Sequence, residues 1–378
     1  MTDDPPSPAL LPAGLTDLLP PEAEREAALV EAMVEVFALH GYERVKPPLL
    51  EFEDSLFAGS GAALAEQTFR LMDPISQRMM GLRADTTPQV ARIAATRLDG
   101  LCRPLRLSYA GQVLRVRGTQ LAPARQLPQA GVELIGPEAP EADAEVAAVA
   151  AEALSRVGVQ GLSLDITLPR MVPALLDAAG VEGEARRRLA RALDRKDAAA
   201  VAERAAGCGA AMQDLVALLN AAGPADGALA VLQEAALPPA ARAIADNAAA
   251  IVAAVRGLAP ELRITLDPVE FRGLRYHTGV AFTLFGPGRA GELARGGRYL
   301  CGEEPATGMT LYPDAVLRAA PPAPVRPRVF LAEGQDGAAI RAQGYATVRA
   351  LSATDTPERL RCTHALDAAG QPVALTKE

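Results

Sequence analysis

Apolar residues recur at helical spacing in some stretches of the chain and in short alternating runs in others, with prolines and glycines marking the boundaries. Leu29, Met33, Val36, Phe37 and His40 fall on one face of a segment that opens at Pro20-Pro21 and stops near Gly41, so the spacing predicts a packed helix. GYERVKPPLLEFEDSLF reads as a turn and extended chain, because Pro47 and Pro48 bar a helix there. TFRLMDPISQRMMGLRAD predicts a hairpin turning at Asp73-Pro74. A helix over 87–98, strands within 105–136 and an alanine-rich helix near 140–157 complete a first block.

The pattern changes over 170–260, where Ala, Leu, Arg and Glu at helical spacing are interrupted by Gly180, Gly207, Gly223 and Pro238-Pro239. Several short helices are expected there. RITLDPVEF and YHTGVAFTLFG return to strand text, ARGGRYLCG reads as a glycine-rich turn, and a helix is expected over Pro313–Ala319 before the stiff linker PPAPVRP. RVFLA, GAAIRAQ and ATVRAL then predict strand, helix and strand, followed by a helical turn and a final strand. No internal repeat is visible. The organisation expected is a core over 1–165, a helical insertion over 166–260, a return to the core over 261–320, and a small α/β module over 321–378.

With 378 residues, 49% hydrophobic and 22% charged, the chain can bury a sizeable core. A net charge of −8 offers no general attraction for a phosphate backbone, and the last 58 residues hold seven Lys/Arg against six Asp/Glu. Cys102, Cys208, Cys301 and Cys362 show no metal-ligand spacing and read as unpaired, mostly buried thiols. The start, MTDDPPSPALLPAG, carries acids and prolines where a signal peptide needs positive charge. No run reaches the roughly 20 apolar residues of a membrane span, so the expected location is the cytoplasm.

Between Arg83 and Gly136 lie the segments LRADTTPQVARIAATRL and PLRLSYAGQVLRVRGTQLAPARQLPQAGVELIG. Arg115, Gln120, Arg125, Gln126, Gln129, Gly131, Glu133 and Gly136 there keep the types and spacing of the second class II signature of histidyl-tRNA synthetases, which this stretch resembles. GYERVKPPLLE resembles the first signature, in which Pro48 would sit at a dimer interface, and GGRY at 296–299 with the segment from Gly308 resembles the approach to the third. EFRGLRYHTGVAF followed by GELARGGRY is closer still to the paralogue family of regulatory subunits of ATP phosphoribosyltransferase. The resemblance covers about residues 14–320. It implies an α+β fold, the class II antiparallel sheet flanked by helices.

A bound histidine needs an anion for its ammonium, a guanidinium for its carboxylate and a polar partner for its ring. Asp85, Thr87, Gln129 and Glu133 are candidates for ammonium and ring, Arg115 and Arg272 for the carboxylate, and Tyr276 and His277 for walls about the imidazole. The groups for ATP are altered. The closing arginine of the third signature falls on Ala315, Arg117 and Pro123 replace a glutamate and an arginine of the second, and Arg275 replaces an acid before the aromatic pair. Losing one preorganised electrostatic contact costs about 2.7–4 kcal/mol, so these departures together leave no useful adenylation unless Arg318 stands in.

The family implies a non-catalytic subunit with no catalytic residues, cofactor or metal of its own. Its expected partners are the short-form catalytic chain of ATP phosphoribosyltransferase, a second copy of itself and L-histidine, with no tRNA and no membrane. The role is activation and histidine feedback in the first step of histidine biosynthesis. The alternatives are an active histidyl-tRNA synthetase and a free-standing amino-acid or RNA-binding module. Five arginines and no acid lie between Arg103 and Arg125, and they read as solvated strand edges or an anion contact.

Overall fold

The computed structural model describes residues 10–118, 123–206, 208–209, 212–270, 276–288, 291–322 and 325–375. The chain forms two compact units, 1–321 and 322–378. In the first, α1 (Glu22–Leu39) buries Leu29, Met33, Val34, Val36 and Phe37. His40 instead lies past the helix end, exposed, with Nε2 2.9 Å from Glu152. Then come β1 (Glu43–Arg44), β2 (Leu50–Phe52), the short α2 (Glu53–Leu56) and a 3₁₀ segment at Gly59–Gln67. The strands β3 (Arg70–Met72) and β4 (Met79–Leu82) form the expected hairpin, and α3 (Thr87–Thr96) follows. After it run β5 (Leu105–Leu114), β6 (Gln126–Ile135), α4 (Pro140–Arg156) and β7 (Ser163–Thr167).

A helical stretch follows: α5 (Met171–Ala178), α6 (Gly183–Asp194), α7 (Ala198–Ala205), α8 (Leu215–Asn220), the two-residue β8 (Gly223–Pro224), α9 (Ala225–Glu234) and α10 (Pro239–Leu258). The chain returns through β9 (Arg263–Asp267), β10 (Ala281–Phe285), β11 (Glu292–Cys301), β12 (Glu304–Leu311) and α11 (Pro313–Ala319). ARGGRYLCG is therefore a central strand and not a turn. Its glycines look like turn residues, but they serve the close approach of neighbouring groups described below.

The main sheet has the order β1-β5-β6-β12-β11-β10-β7-β9-β8. β1 runs parallel to β5 and β9 to β7, while the other neighbours are antiparallel. Alternation assigns each strand's residues to two faces. Ala130, Val132 and Leu134 of β6, Met309 and Leu311 of β12 and Phe282 and Leu284 of β10 share one large core with α1, α4, α10 and the shorter helices. The opposite face has a smaller core at one end, where Val90 and Ala94 of α3 cover Leu107, Tyr109, Ile135, Tyr299 and Ala306. The rest of that face is polar.

β5 lies between β1 and β6, so Arg106 on it is not an edge residue, whereas Arg117 beyond its end is exposed. Arg103 makes a two-pronged contact with Glu304 at 2.6 and 2.8 Å, and Arg106 with Glu145 of α4 at 2.8 and 2.7 Å. Among the cysteines only Cys301 is buried; Cys102 is exposed and Cys208 and Cys362 are half-buried, and all four are free thiols. Among the described residues no helix is long and apolar enough to cross a membrane.

The second unit holds β13 (Arg328–Leu331), α12 (Ala338–Ala342), β14 (Ala346–Arg349), β15 (His364–Leu366) and β16 (Pro372–Ala374) in the order β14-β13-β15-β16. The expected helical turn is present, with the Leu360 amide on the Thr356 carbonyl at 3.0 Å, and two short antiparallel strands follow it where one strand was expected. Its core is small: Val329, Leu331 and Ile340, with Tyr345 and Leu366 against them.

Candidate functional site

The polar face is laid out by strand register. Gln129, Gly131 and Glu133 of β6 stand opposite Gly111, Tyr109 and Leu107 of β5. On the other side Gly131 and Glu133 meet Thr310 and Gly308 of β12, which in turn meet Arg295 and Gly297 of β11. Every one of these residues has the parity opposite to the helix-side core; Leu107 and Tyr109 lie under α3, and Gln129, Glu133, Thr310 and Arg295 make up the polar part of that face.

Arg83 sets the cleft's rim. Its buried guanidinium donates to the carbonyls of Gln112 at 2.7 Å and Pro47 at 3.0 Å, pinning the segment that leads into α3. Asp85 then accepts from the Thr87 amide at 3.0 Å, and Gln129 Oε1 accepts from the Thr86 amide at 3.1 Å and hydroxyl at 3.0 Å. Those bonds orient the Gln129 carboxamide, so its NH₂ is aimed at Asp85 Oδ2, 3.4 Å away. A carbonyl acceptor held on one side leaves the donor side and the carboxylate for a ligand.

Deeper in the cleft, Glu133 is 1% exposed and accepts a 2.8 Å hydrogen bond from the Tyr299 hydroxyl. Burial, with the nearby Asp85 charge, pushes its carboxyl up to about 8, against hydrogen bonds from Thr87 and Tyr299. Glu133 has room only because Gly308 stands opposite: a Cβ there would overlap Glu133 Oε2. Tyr109, wholly buried, joins the wall through Thr310 Oγ1 at 2.7 Å and Thr87 Oγ1 at 3.4 Å.

His277 is buried, with its ring 3.9 Å from that of Tyr276 and tilted 35°. Gly297 fits beside it at φ +146°, a backbone region few side-chain-bearing residues adopt; a Cβ would lie 2.6 Å from His277 Cδ2. Tyr276 retains 43% exposure. Burial, and then the nearby carboxyls of Asp85 and Glu133, push its phenol up, so it stands within electrostatic reach of both. Arg115 continues β5 at the cleft's edge, its Nε 3.4 Å from the Ala84 carbonyl.

The structure thus brings Asp85, Thr87, Gln129, Glu133, Tyr276 and His277 together, with Arg115 beside them. Arg272 and Arg275 lie outside the described residues. Tyr109, Tyr299 and Thr310 were not legible as site residues, because nothing local in the sequence says which strand face meets α3. Tyr299 had one usable signal, since it stands two residues from Gly297 and four from Arg295 on one strand.

The nucleotide side differs. Ala315 is buried in the helix-side core, while Arg318 is exposed and 3.2 Å from Asp314. Arg117 and Pro123 are exposed. Among the described residues no group of three His, Cys, Asp or Glu could hold a metal. A depression of about 590 Å³ elsewhere is lined by His40, Glu145 and Glu152. Those three groups are already engaged: Glu145 by Arg106 and Tyr42, and Glu152 by His40.

The histidyl-tRNA synthetase family model matches residues 14–316. A protein of Paramagnetospirillum magneticum, named ATP phosphoribosyltransferase regulatory subunit, is 56% identical over 93% of this chain and 93% of its own. One of the same name from Gluconobacter oxydans is 51% identical over 97% and 98%. Among solved structures, an ATP phosphoribosyltransferase regulatory subunit/histidyl-tRNA synthetase from Bacillus halodurans matches with TM-score 0.79 and 25% identity, covering 92% of this chain and 95% of that one. A histidyl-tRNA synthetase from a Nostoc species shares the fold at TM-score 0.76, with 17% identity over 97% and 96%.

Proposed function

The chain belongs to the family of ATP phosphoribosyltransferase regulatory subunits, non-catalytic relatives of histidyl-tRNA synthetase, and on that premise we propose that it senses histidine in the cleft above the sheet and passes the signal to a catalytic chain. The partner is the short-form catalytic subunit, in the cytoplasm, at the first step of histidine biosynthesis. The observation that carries the reading is an organised polar cleft combined with an alanine where the third signature has its arginine. Asp85, Gln129 and Glu133 are tightly organised, while Ala315 supplies no guanidinium for ATP.

The chemistry is complementary to an amino acid with a basic ring. Asp85, with Thr87 beside it, offers acceptors to the ammonium; Gln129 adds an oriented amide; Glu133 faces the ring nitrogens between Tyr276 and His277. Glu133 is mostly protonated at neutral pH when the cleft is empty. An N–H donor arriving beside it favours the carboxylate, so ligand binding and proton loss are coupled. Self-association through the exposed Pro48–Leu49 segment completes the proposal.

The test uses complexes of the catalytic chain with wild-type or Gln129→Ala subunit, comparing catalytic rate against histidine concentration. Coupling of about 1–3 kcal/mol corresponds to about a 5–150-fold change in affinity between states. Inhibition is expected to shift to much higher histidine in the variant, with assembly intact. Equal inhibition of both complexes would reject the cleft as the sensor. Histidine-dependent ATP–pyrophosphate exchange should be absent; a rate like that of a true synthetase would reject the non-catalytic reading.

A further inference from the structure

Arg295 sits on β11 next to the cleft, and no role follows for it from the histidine-binding groups already described. Its partner across the sheet is Thr310, whose hydroxyl holds Tyr109, and the next pair on the same face is Gly297 with Gly308, directly over Glu133. The strand is irregular just before it. Thr283 pairs with Arg295 and Phe285 with Glu292, so one extra residue is accommodated in β11 between the two pairs. Thr283 and Phe285 share a face, and the irregularity therefore puts Glu292 and Arg295 on one face although they are three apart.

The Arg295 guanidinium reaches Glu292 at 3.9 Å, too far for a hydrogen bond, and both side chains remain partly open, at 41% and 34%. Burial pushes the Glu292 carboxyl up, and Arg295, a hydrogen bond from Tyr312 and the charge of Arg115 pull it back. The Arg295 guanidinium thus stands beside this carboxylate at the rim of the cleft, and the charge of Arg115 acts on the same group. The first comes from β11 and the second from the end of β5. A guanidinium beside a carboxylate-sized position, with a second arginine charge acting on it, can receive a carboxylate ligand.

We infer that Arg295, together with Arg115, receives the α-carboxylate of the amino acid bound in the cleft, with Glu292 occupying that charge position when the cleft is empty. The inference rests on the histidine reading above and adds Arg295 to Arg115 and Arg272, the residues the sequence offered for the anion end. Arg295 lies in register with Thr310 and Gly131, between the rows of Gln129 and Glu133, so a ligand held by those two groups has β11 beside its third polar group.

The experiment is calorimetry on the full chain with two ligands, L-histidine and L-histidinol, which keeps the ring and ammonium and replaces the carboxylate with a hydroxymethyl group. Arg295→Ala is expected to weaken histidine binding more than tenfold and to leave histidinol binding unchanged. Arg295→Lys should recover part of the histidine affinity, because it keeps the charge and loses the fork. Loss of both ligands equally would mean a general effect on the cleft and would overturn the assignment, as would unchanged histidine affinity in Arg295→Ala. Arg295→Gln, of similar length and uncharged, repeats the test if the alanine variant unfolds. Wild-type protein that binds neither ligand would sink the histidine reading itself, which separates that failure from a misassigned arginine.

Discussion

Arg295 and Arg298 are three residues apart on the same strand and live in different solvents. Arg298 points to the helix side, 9% exposed, where Nε and Nη2 meet Asp143 of α4 at 2.9 and 2.7 Å and the other donors reach the Pro137 and Ala139 carbonyls. Asp143 is fully buried, and burial raises its carboxyl even against Arg298. Arg295 points to the cleft, half open, with a loose contact to Glu292. The same residue type is a sealed structural tie on one face of the sheet and an accessible charge on the other. The lesson is that a buried guanidinium must have all its donors matched inside the protein, whereas one at a cleft can hold donors for a ligand.

Breaking the sealed side should have the largest effect on stability. Asp143→Ala leaves a buried guanidinium uncompensated, and removal of one partner of such a pair costs about 3–5 kcal/mol. Urea unfolding should show a loss of that size, and a variant as stable as wild type would mean that Arg298 is solvated. Next comes Gly308→Ala on the cleft side. Its Cβ collides with Glu133, so overpacking of about 1–3 kcal/mol should accompany loss of histidine binding; retained affinity would place the ligand elsewhere.

Glu133→Gln sharpens the comparison through pH. The Glu133 carboxyl is raised from 4.5 to about 8 in the folded chain. The folded state therefore holds a proton that the unfolded chain releases, and wild-type stability contributed by this group falls as pH rises from about 4.5 to 8. The variant should show a flatter dependence of the urea midpoint across that window; an identical slope would mean Glu133 is not protonated in the fold. The smallest effect is expected at the surface. Arg44 and Glu31 lie 2.9 Å apart with both side chains largely exposed, and Arg44→Ala should change unfolding free energy by less than about 1 kcal/mol.

Much of the local structure was legible because it depends on spacing between near neighbours. The stripe of Leu29, Met33 and Phe37, the turn at Asp73-Pro74 and the helix over Pro313–Ala319 all follow from periodicity and proline rules. Local reasoning failed where a residue's role comes from a distant partner. ARGGRYLCG looked like a turn because glycines usually mark turns, yet Gly297 is demanded by His277 across the strand. His40 looked like part of a packed stripe, but it falls past the last helical residue and meets Glu152 instead. Arg103 and Arg106 looked like solvated strand-edge residues, yet they meet Glu304 and Glu145.

By itself the sequence determined the elements, the family and the cast of polar residues at family spacing, since those properties are written in order and periodicity along the chain. Only the tertiary structure decided which of them meet. Asp85 and Gln129 are 44 residues apart, and Glu133 and Tyr299 166 apart. Their juxtaposition depends on the antiparallel register of β6, β12 and β11 and on which face of each pleat looks away from the helices. A shift of one residue in any of these strands would carry its cleft residues to the opposite face, so the cleft exists only because apolar burial on the helix side holds the register.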